Sequence, residues 1–428
     1  MSDADEYLSE ESYEFEFEDE DLEISETVSH SHDTPVCFLQ EQQYYHAKGL
    51  KDQSLDAAIK LFEQLVSNFK RDEDVEWVFK SYKQLAKVTF FQQRYAETLR
   101  YIAHLIAMLP KLNGNYAEDS INKLLLRYMT CPNRAFVSEM YDVIVNKLLD
   151  FLVSGVSGHR LWLRINLNRF DNLLEDNDLG PARSLLKVIK DQLEKISELT
   201  RNSFSLDVIA AEIELSMRTG ADIAELSQFH RRSLQAASTI THPRVMGIIR
   251  ECGATVYFYR GQFEKARLEF YESFKNYDEA GSSTKKKILK YLSLCSMLTD
   301  SEVNPFESQE TQSYAQLPEY QNLISLISAY ESRDLDEYYG VISNMTATND
   351  TLIQDIIFQV AEKHVRHDLK LKVLTNYLRA SKAVTYDYLI KRLGFKDDED
   401  LESLLLVMAN SGLVSDVTIN YVERHIEV

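Results

Sequence analysis

Four times in this 428-residue chain a large apolar residue is followed three positions later by a small one and, four further on, by another large apolar one. The sets are Leu55, Ala58 and Phe62; Tyr95, Thr98 and Ile102; Leu179, Ala182 and Leu186; and Phe263, Ala266 and Phe270. On a helix these positions share one stripe; the small residue admits a second helix closely, and the large ones fill the groove beside it. The fourth set carries its own turn, Arg260-Gly261-Gln262, and Pro110 closes the hairpin of the second. The interval between sets is irregular, which predicts a degenerate array of helical hairpins. Each hairpin can bury its apolar face only against its neighbours, so the expected product is a solenoid with a long concave surface. Turns between hairpins are expected at His159-Arg160, Thr241-His242-Pro243 and Gly281 to Thr284. The scarcity of breakers, 13 Gly and 7 Pro, agrees with a mostly helical chain.

Toward the C-terminus the pattern changes. Lys370 to Ala380 and Tyr386 to Leu393 read as helices. Asp397 to Ala409 reads as a third, with Leu401, Leu404, Leu405 and Met408 on one stripe and carboxylates in its first turn, until Gly412 stops it. From Leu413 to Val428 the chain partly alternates, with Val417, Ile419 and Tyr421, then Ile426 and Val428, on one face. Three helices followed by a hairpin make a winged helix. The predicted fold is therefore an all-α solenoid of tetratricopeptide-like helical hairpins followed by a C-terminal winged helix with a small β-hairpin.

Charge is unevenly spread. Met1 to Ser29 holds thirteen Asp or Glu and no Lys or Arg, leaving −8 of the formal −21 for the rest. Tyr7, Tyr13, Phe15 and Phe17 are interleaved with the tail's carboxylates. Self-repulsion predicts disorder there, serving either as a solvating tail or as a sticky acidic-aromatic segment that docks on a basic surface. An acidic balance argues against nonspecific nucleic-acid or anionic-membrane binding. The third helix of the winged helix offers no Arg or Lys to phosphates, which argues against DNA readout. Cys37, Cys131, Cys252 and Cys295 lie far apart and form no CxxC pair, as expected of a reducing compartment, and Cys131, Cys252 and Cys295, in apolar helical contexts, read as core fillers. No signal peptide or membrane-spanning run is read.

Candidate chemistry is sparse. His30-Ser31-His32 resembles the opening of a zinc isopeptidase site, but the further positions such a site needs hold Gln40 and Gln43, which cannot replace its Ser and carboxylate. No phosphate loop or nucleophile elbow is present, so the chain is not expected to be an enzyme on its own. Lys80, Lys83 and Lys87 fall at i, i+3 and i+7 of a helix beginning near Glu76-Trp77, with Tyr82, Leu85 and Ala86 toward the core. Spacing alone leaves two readings, a solvated face or a cationic patch for a polyanion or acidic protein surface. Lys285-Lys286-Lys287 is weaker, since consecutive residues splay around a helix. Trp77 and Trp162 read as core anchors.

The block Phe270-Tyr271-Glu272-Ser273-Phe274-Lys275-Asn276-Tyr277-Asp278, with Leu289-Lys290-Tyr291-Leu292 after it, resembles the joint between helical repeats and the PCI domain in two scaffold families, the COP9 signalosome subunit 2 family and its proteasome-lid counterpart. Gln43-Tyr44-Tyr45, Glu76-Trp77-x-Phe79-Lys80, Asn115-Tyr116-x-Glu118, Arg160-Leu161-Trp162, the run His242 to Gly253 and Asn304 to Glu310 are similar to the signalosome family in order, as is the acidic tail. The proteasome-lid family, the runner-up, shares mainly the Phe270 to Tyr291 block. The resemblance implies an acidic tail over 1–38, a helical-repeat arm over 39–240, the helical part of the PCI domain over 241–370 and its winged helix over 371–428. It implies a non-catalytic subunit whose N-terminal repeats bind a cullin and its RING partner. That subunit presents neddylated cullin for NEDD8 removal by a separate metalloprotease, and its winged helix binds other signalosome subunits. Nuclear and cytoplasmic location, no required cofactor and inositol hexakisphosphate at the ligase interface are implied too, with Lys80, Lys83 and Lys87 as the contact. A peptide-binding repeat protein outside any PCI ring stays open as a different class. The family continues beyond the wing into a C-terminal helix that joins a bundle of all the subunits, whereas this sequence ends at Val428. Two readings stay open: a chain adapted to a reduced complex, or a wing that suffices for assembly.

Overall fold

The computed structural model describes residues 35–68, 75–112, 114–153, 158–236, 241–299, 301, 304–307, 311–395, 398–411, 418–420 and 423–427. Residues 1–34 of the acidic tail, with the His30-Ser31-His32 pair, lie outside them, as do the helix stop at Gly412 and the wing positions Val417, Tyr421 and Val428; residues 35–38, placed in the tail, instead open a helix. The chain divides into two compact units, Met1–Ile165 and Asn166–Val428.

In the first unit lie α1 (Pro35–Gly49), α2 (Leu55–Asn68), α3 (Val75–Phe91), α4 (Tyr95–Ala107), α5 (Gly114–Met129), α6 (Arg134–Val153) and the first residues of α7 (His159–Glu175). The second unit continues α7 and adds α8 (Leu179–Leu193), α9 (Glu198–Arg218), α10 (Ile223–Gln235), α11 (Pro243–Tyr259), α12 (Phe263–Glu279) and α13 (Lys285–Leu298). There follow α14 (Pro318–Glu331), α15 (Leu335–Ala347) and α16 (Ile356–Ala380). His159 and Arg160, expected in a turn, instead open α7; the positive φ lies just before them, at Gly158.

Each of the four spaced sets opens a helix, at the first residue of α2, α4, α8 and α12. Ala58, Thr98, Ala182 and Ala266 are completely buried, as the close approach of a second helix requires. Three of these helices follow one kind of turn. Gln93, Asn177 and Gly261 adopt left-handed φ values of 59, 61 and 72°. The next N–H then reaches the carbonyl five residues back, Arg94 to Thr89, Asp178 to Leu173 and Gln262 to Tyr257, at 2.8–3.0 Å. The α14–α15 hairpin repeats this turn at Arg333, with φ 58° and Asp334 N–H on Ala329 at 2.9 Å. Its small position is occupied by Tyr338, so the residue spacing did not reveal it.

Helix α11 carries glycines where side chains of its neighbours α12 and α10 press in. A Cβ on Gly247 would lie 2.9 Å from the Tyr277 ring, and one on Gly253 2.6 Å from His230 Nε2.

The winged helix comprises β1 (Ala383–Thr385), α17 (Tyr386–Leu393), α18 (Asp398–Ser411), β2 (Thr418–Asn420) and β3 (His425–Glu427). The sheet is antiparallel with order β1-β3-β2, and Ile426 pairs with Val384 on one side and Ile419 on the other. Leu401, Leu404, Leu405 and Met408 of α18 are buried, as their spacing predicts. Lys370 to Ala380 is not a separate helix; it ends the 25-residue α16, which has no internal breaker. One buried apolar cluster runs from Leu206 to Ile426, so the helical part and the winged helix share a core. Arg424 in the wing bridges Asp387 at 3.0 Å and Asp398 at 2.8 Å.

Candidate functional site

The three predicted lysines lie along one stripe of α3, a helix buried through Phe79, Leu85, Ala86 and Val88 and at Lys80 itself. Their spacing spreads them along about two helical turns, roughly 10 Å. The structure does not treat them alike. The Lys80 ammonium lies 4.5 Å from the Trp77 ring centre and 3.0 Å from Glu76, and its side chain is only 11% exposed. Trp77, half-buried, is itself braced by Tyr44 at 5.4 Å and Tyr45 at 6.4 Å. Lys80 is thus committed to an aromatic bracket, a cation–π contact reinforced by an i,i+4 ion pair. Lys83 and Lys87 are half-buried one turn apart.

Lys87 opens into a cleft of about 340 Å³ at the C-terminal ends of α3 and α5, which it shares with Arg127, Phe91, Tyr95 and Cys131. No carboxylate lines this cleft. The chemistry offered is charge neutralisation beside apolar surface. Charge-assisted contacts to phosphate or carboxylate are the interactions such cations make.

Two features beneath this face escaped the residue spacing. Lys51 is buried, and its ammonium donates to Gln84 Oε1 at 2.7 Å while Gln84 donates to the Tyr44 hydroxyl at 3.1 Å. Tyr82, expected toward the core, is half-buried and stacks on His104 at 5.1 Å. Neighbouring Tyr101 donates to Glu63 at 2.7 Å; burial, with that hydrogen bond, pushes its phenol up to about 12.

The run Lys285-Lys286-Lys287 in the second unit splays as predicted, and its ammoniums reach three different carboxylates. Lys285 meets Asp278 at 2.8 Å, Lys286 meets Glu319 at 3.1 Å and Lys287 meets Glu251 at 2.9 Å. Glu251 is buried and also accepts from Tyr277 at 2.8 Å. The Glu251 carboxylate beside Lys287 raises that lysine's pKa. Cys131, Cys252 and Cys295 are buried, and Trp162 is a core anchor at 1% exposure. Among the described residues no group of three His, Cys, Asp or Glu could hold a metal ion, and no helix is long and apolar enough to cross a membrane.

No family model matches the chain. Curated relatives do. COP9 signalosome complex subunit 2 of Schizosaccharomyces pombe is 30% identical over 386 residues, covering 89% of this chain and 85% of that protein. The proteins of the same name from Drosophila melanogaster and Dictyostelium discoideum are 30% and 31% identical, covering 86% of this chain and 81% and 80% of their own lengths.

Proposed function

Because the chain belongs to the COP9 signalosome subunit 2 family, we propose that it is a non-catalytic scaffold of that complex. In this reading its N-terminal repeats bind a cullin–RING ubiquitin ligase and position the neddylated cullin for NEDD8 removal by a separate metalloprotease subunit. The observation that carries the reading is the extent of similarity, which spans 85% of the Schizosaccharomyces pombe relative. Positioning is itself a large contribution to rate, since it replaces an improbable encounter by a held geometry. Contact with other subunits is assigned to the winged helix, where β1 and β2 flank β3 as the outer strands among the described residues, the usual place for another chain's strand to pair. Work in both nucleus and cytoplasm follows from the same reading.

Inositol hexakisphosphate fits the α3 face in part. Lys87 and Arg127 converge on a cleft free of carboxylates, with Lys83 one turn away, whereas Lys80 is engaged with Glu76 and Trp77. Lys83, Lys87 and Arg127 would hold it, and the polyanion would supply bridging charge between two cationic surfaces.

The test is Lys83→Glu with Lys87→Glu in the full chain, measuring affinity for a purified cullin–RING ligase at matched salt. Affinity should fall at least about tenfold and the salt dependence should flatten as two cations leave the interface. Unchanged affinity removes the α3 face from the contact.

A further inference from the structure

We propose that the acidic-aromatic tail of this chain docks in cis on the Lys87–Arg127 cleft, with Tyr13 to Glu18 as the docking segment. Tyr13, Phe15 and Phe17 alternate with Glu14, Glu16 and Glu18. Laid out in extended conformation, that alternation sends rings to one side and carboxylates to the other. The cleft answers both. Phe91 on α3 is 40% exposed although it is a large apolar residue, and Tyr95 continues the apolar wall. Lys87 and Arg127 supply positive charge, and no carboxylate among the lining residues repels the tail.

Attachment favours the tail over a free partner: between Phe17 and the start of α1 at Pro35 lie 17 residues, a stretch whose contour is at most about 60 Å. Docking covers Lys87, so the tail would compete with whatever acidic surface or polyanion uses the α3 face. That regulatory consequence rests on the ligase reading above; the docking does not.

The test is zero-length carbodiimide coupling of the dilute full chain, which joins carboxylates to ammonium groups only in direct contact, read by peptide mass spectrometry. Adducts between Lys87 and Glu14, Glu16 or Glu18 are expected. They should fall about tenfold with Phe15→Ala and Phe17→Ala, which withdraw two rings from the apolar wall, and again with Phe91→Ala. Absence of these adducts, or equal coupling of the tail to Lys48, Lys60 and Lys111, overturns the proposal. So does coupling found only between copies in a mixture of isotopically light and heavy chains, which would place the tail on a second molecule. No ligase is present in the assay, so loss of these adducts leaves the scaffold reading untouched. Failure to bind ligase leaves the adducts untouched in turn.

Discussion

The α3–α4 and α11–α12 hairpins begin from the same residue spacing and the same left-handed turn, yet they use charge in opposite ways. Around α11 and α12 the carboxylate of Glu251 is buried between Lys287 and Tyr277, and Ser273 donates to the Gly247 carbonyl at 2.9 Å. These groups lock two helices that already approach through glycine. On α3 it is a cation that is buried: Lys80 reaches out to a half-exposed Glu76, and the half-buried Lys83 and Lys87 lie along the same stripe. The same hairpin thus carries a buried carboxylate matched by two partners in one place and a stripe of part-buried cations in the other.

The comparison breaks most visibly if a buried carboxylate is removed. Glu251→Ala removes the partner of the half-exposed Lys287 ammonium and of the buried Tyr277 hydroxyl and should cost about 1–3 kcal/mol in urea unfolding. Glu76→Ala removes a half-exposed carboxylate and leaves Lys80 over the Trp77 ring, so it should cost less than about 1 kcal/mol. Equal losses would erase the distinction. Gly253→Val should cost about 1–3 kcal/mol by driving the His230 ring out of its place, whereas Gly114→Ala, with nothing within 4 Å, should stabilise by up to about 1 kcal/mol.

A smaller effect separates the lysines. Lys80→Glu should lower stability by about 0.5–1 kcal/mol more than Lys83→Glu or Lys87→Glu, since it also loses the contact with Trp77. Thermal unfolding reads the difference, and a silent Lys80 would mean that the aromatic bracket contributes nothing. Smallest is a pH effect at the α10–α11 contact. Burial holds the His230 pKa below 6.5, with Glu269 opposing and Arg250 and Arg260 reinforcing the shift. The neutral ring is therefore the folded form. Its stability is complete above pH 6.5 and declines as the pH falls through 6.5 toward the folded value. His230→Gln should flatten that slope in unfolding curves taken between pH 7.5 and 5.5; an unaltered slope would assign it to other groups.

What could be read in advance follows from what each signal depends on. The first residues of α2, α4, α8 and α12 and both ends of α17 were legible because local spacing and turn residues determine them. The α14–α15 hairpin was hidden because Tyr338 replaces the small residue, and β1 because three residues carry no measurable alternation. The fusion of Lys370 to Ala380 into α16 was missed for want of a breaker to mark where that helix begins. At the candidate site, spacing placed three lysines on one face but could not say that Trp77 would cover Lys80, or that Arg127, forty residues on, would join Lys87 across a cleft. Those are tertiary facts, as is the burial of Lys51 against Gln84.

The most direct test of the scaffold account is affinity purification of the tagged full chain from its native cells, with mass spectrometry and a neddylated-cullin cleavage assay on the eluate. The account predicts co-purifying PCI subunits together with deneddylating activity. Recovery of proteasome-lid proteins, or of neither assembly, would contradict it.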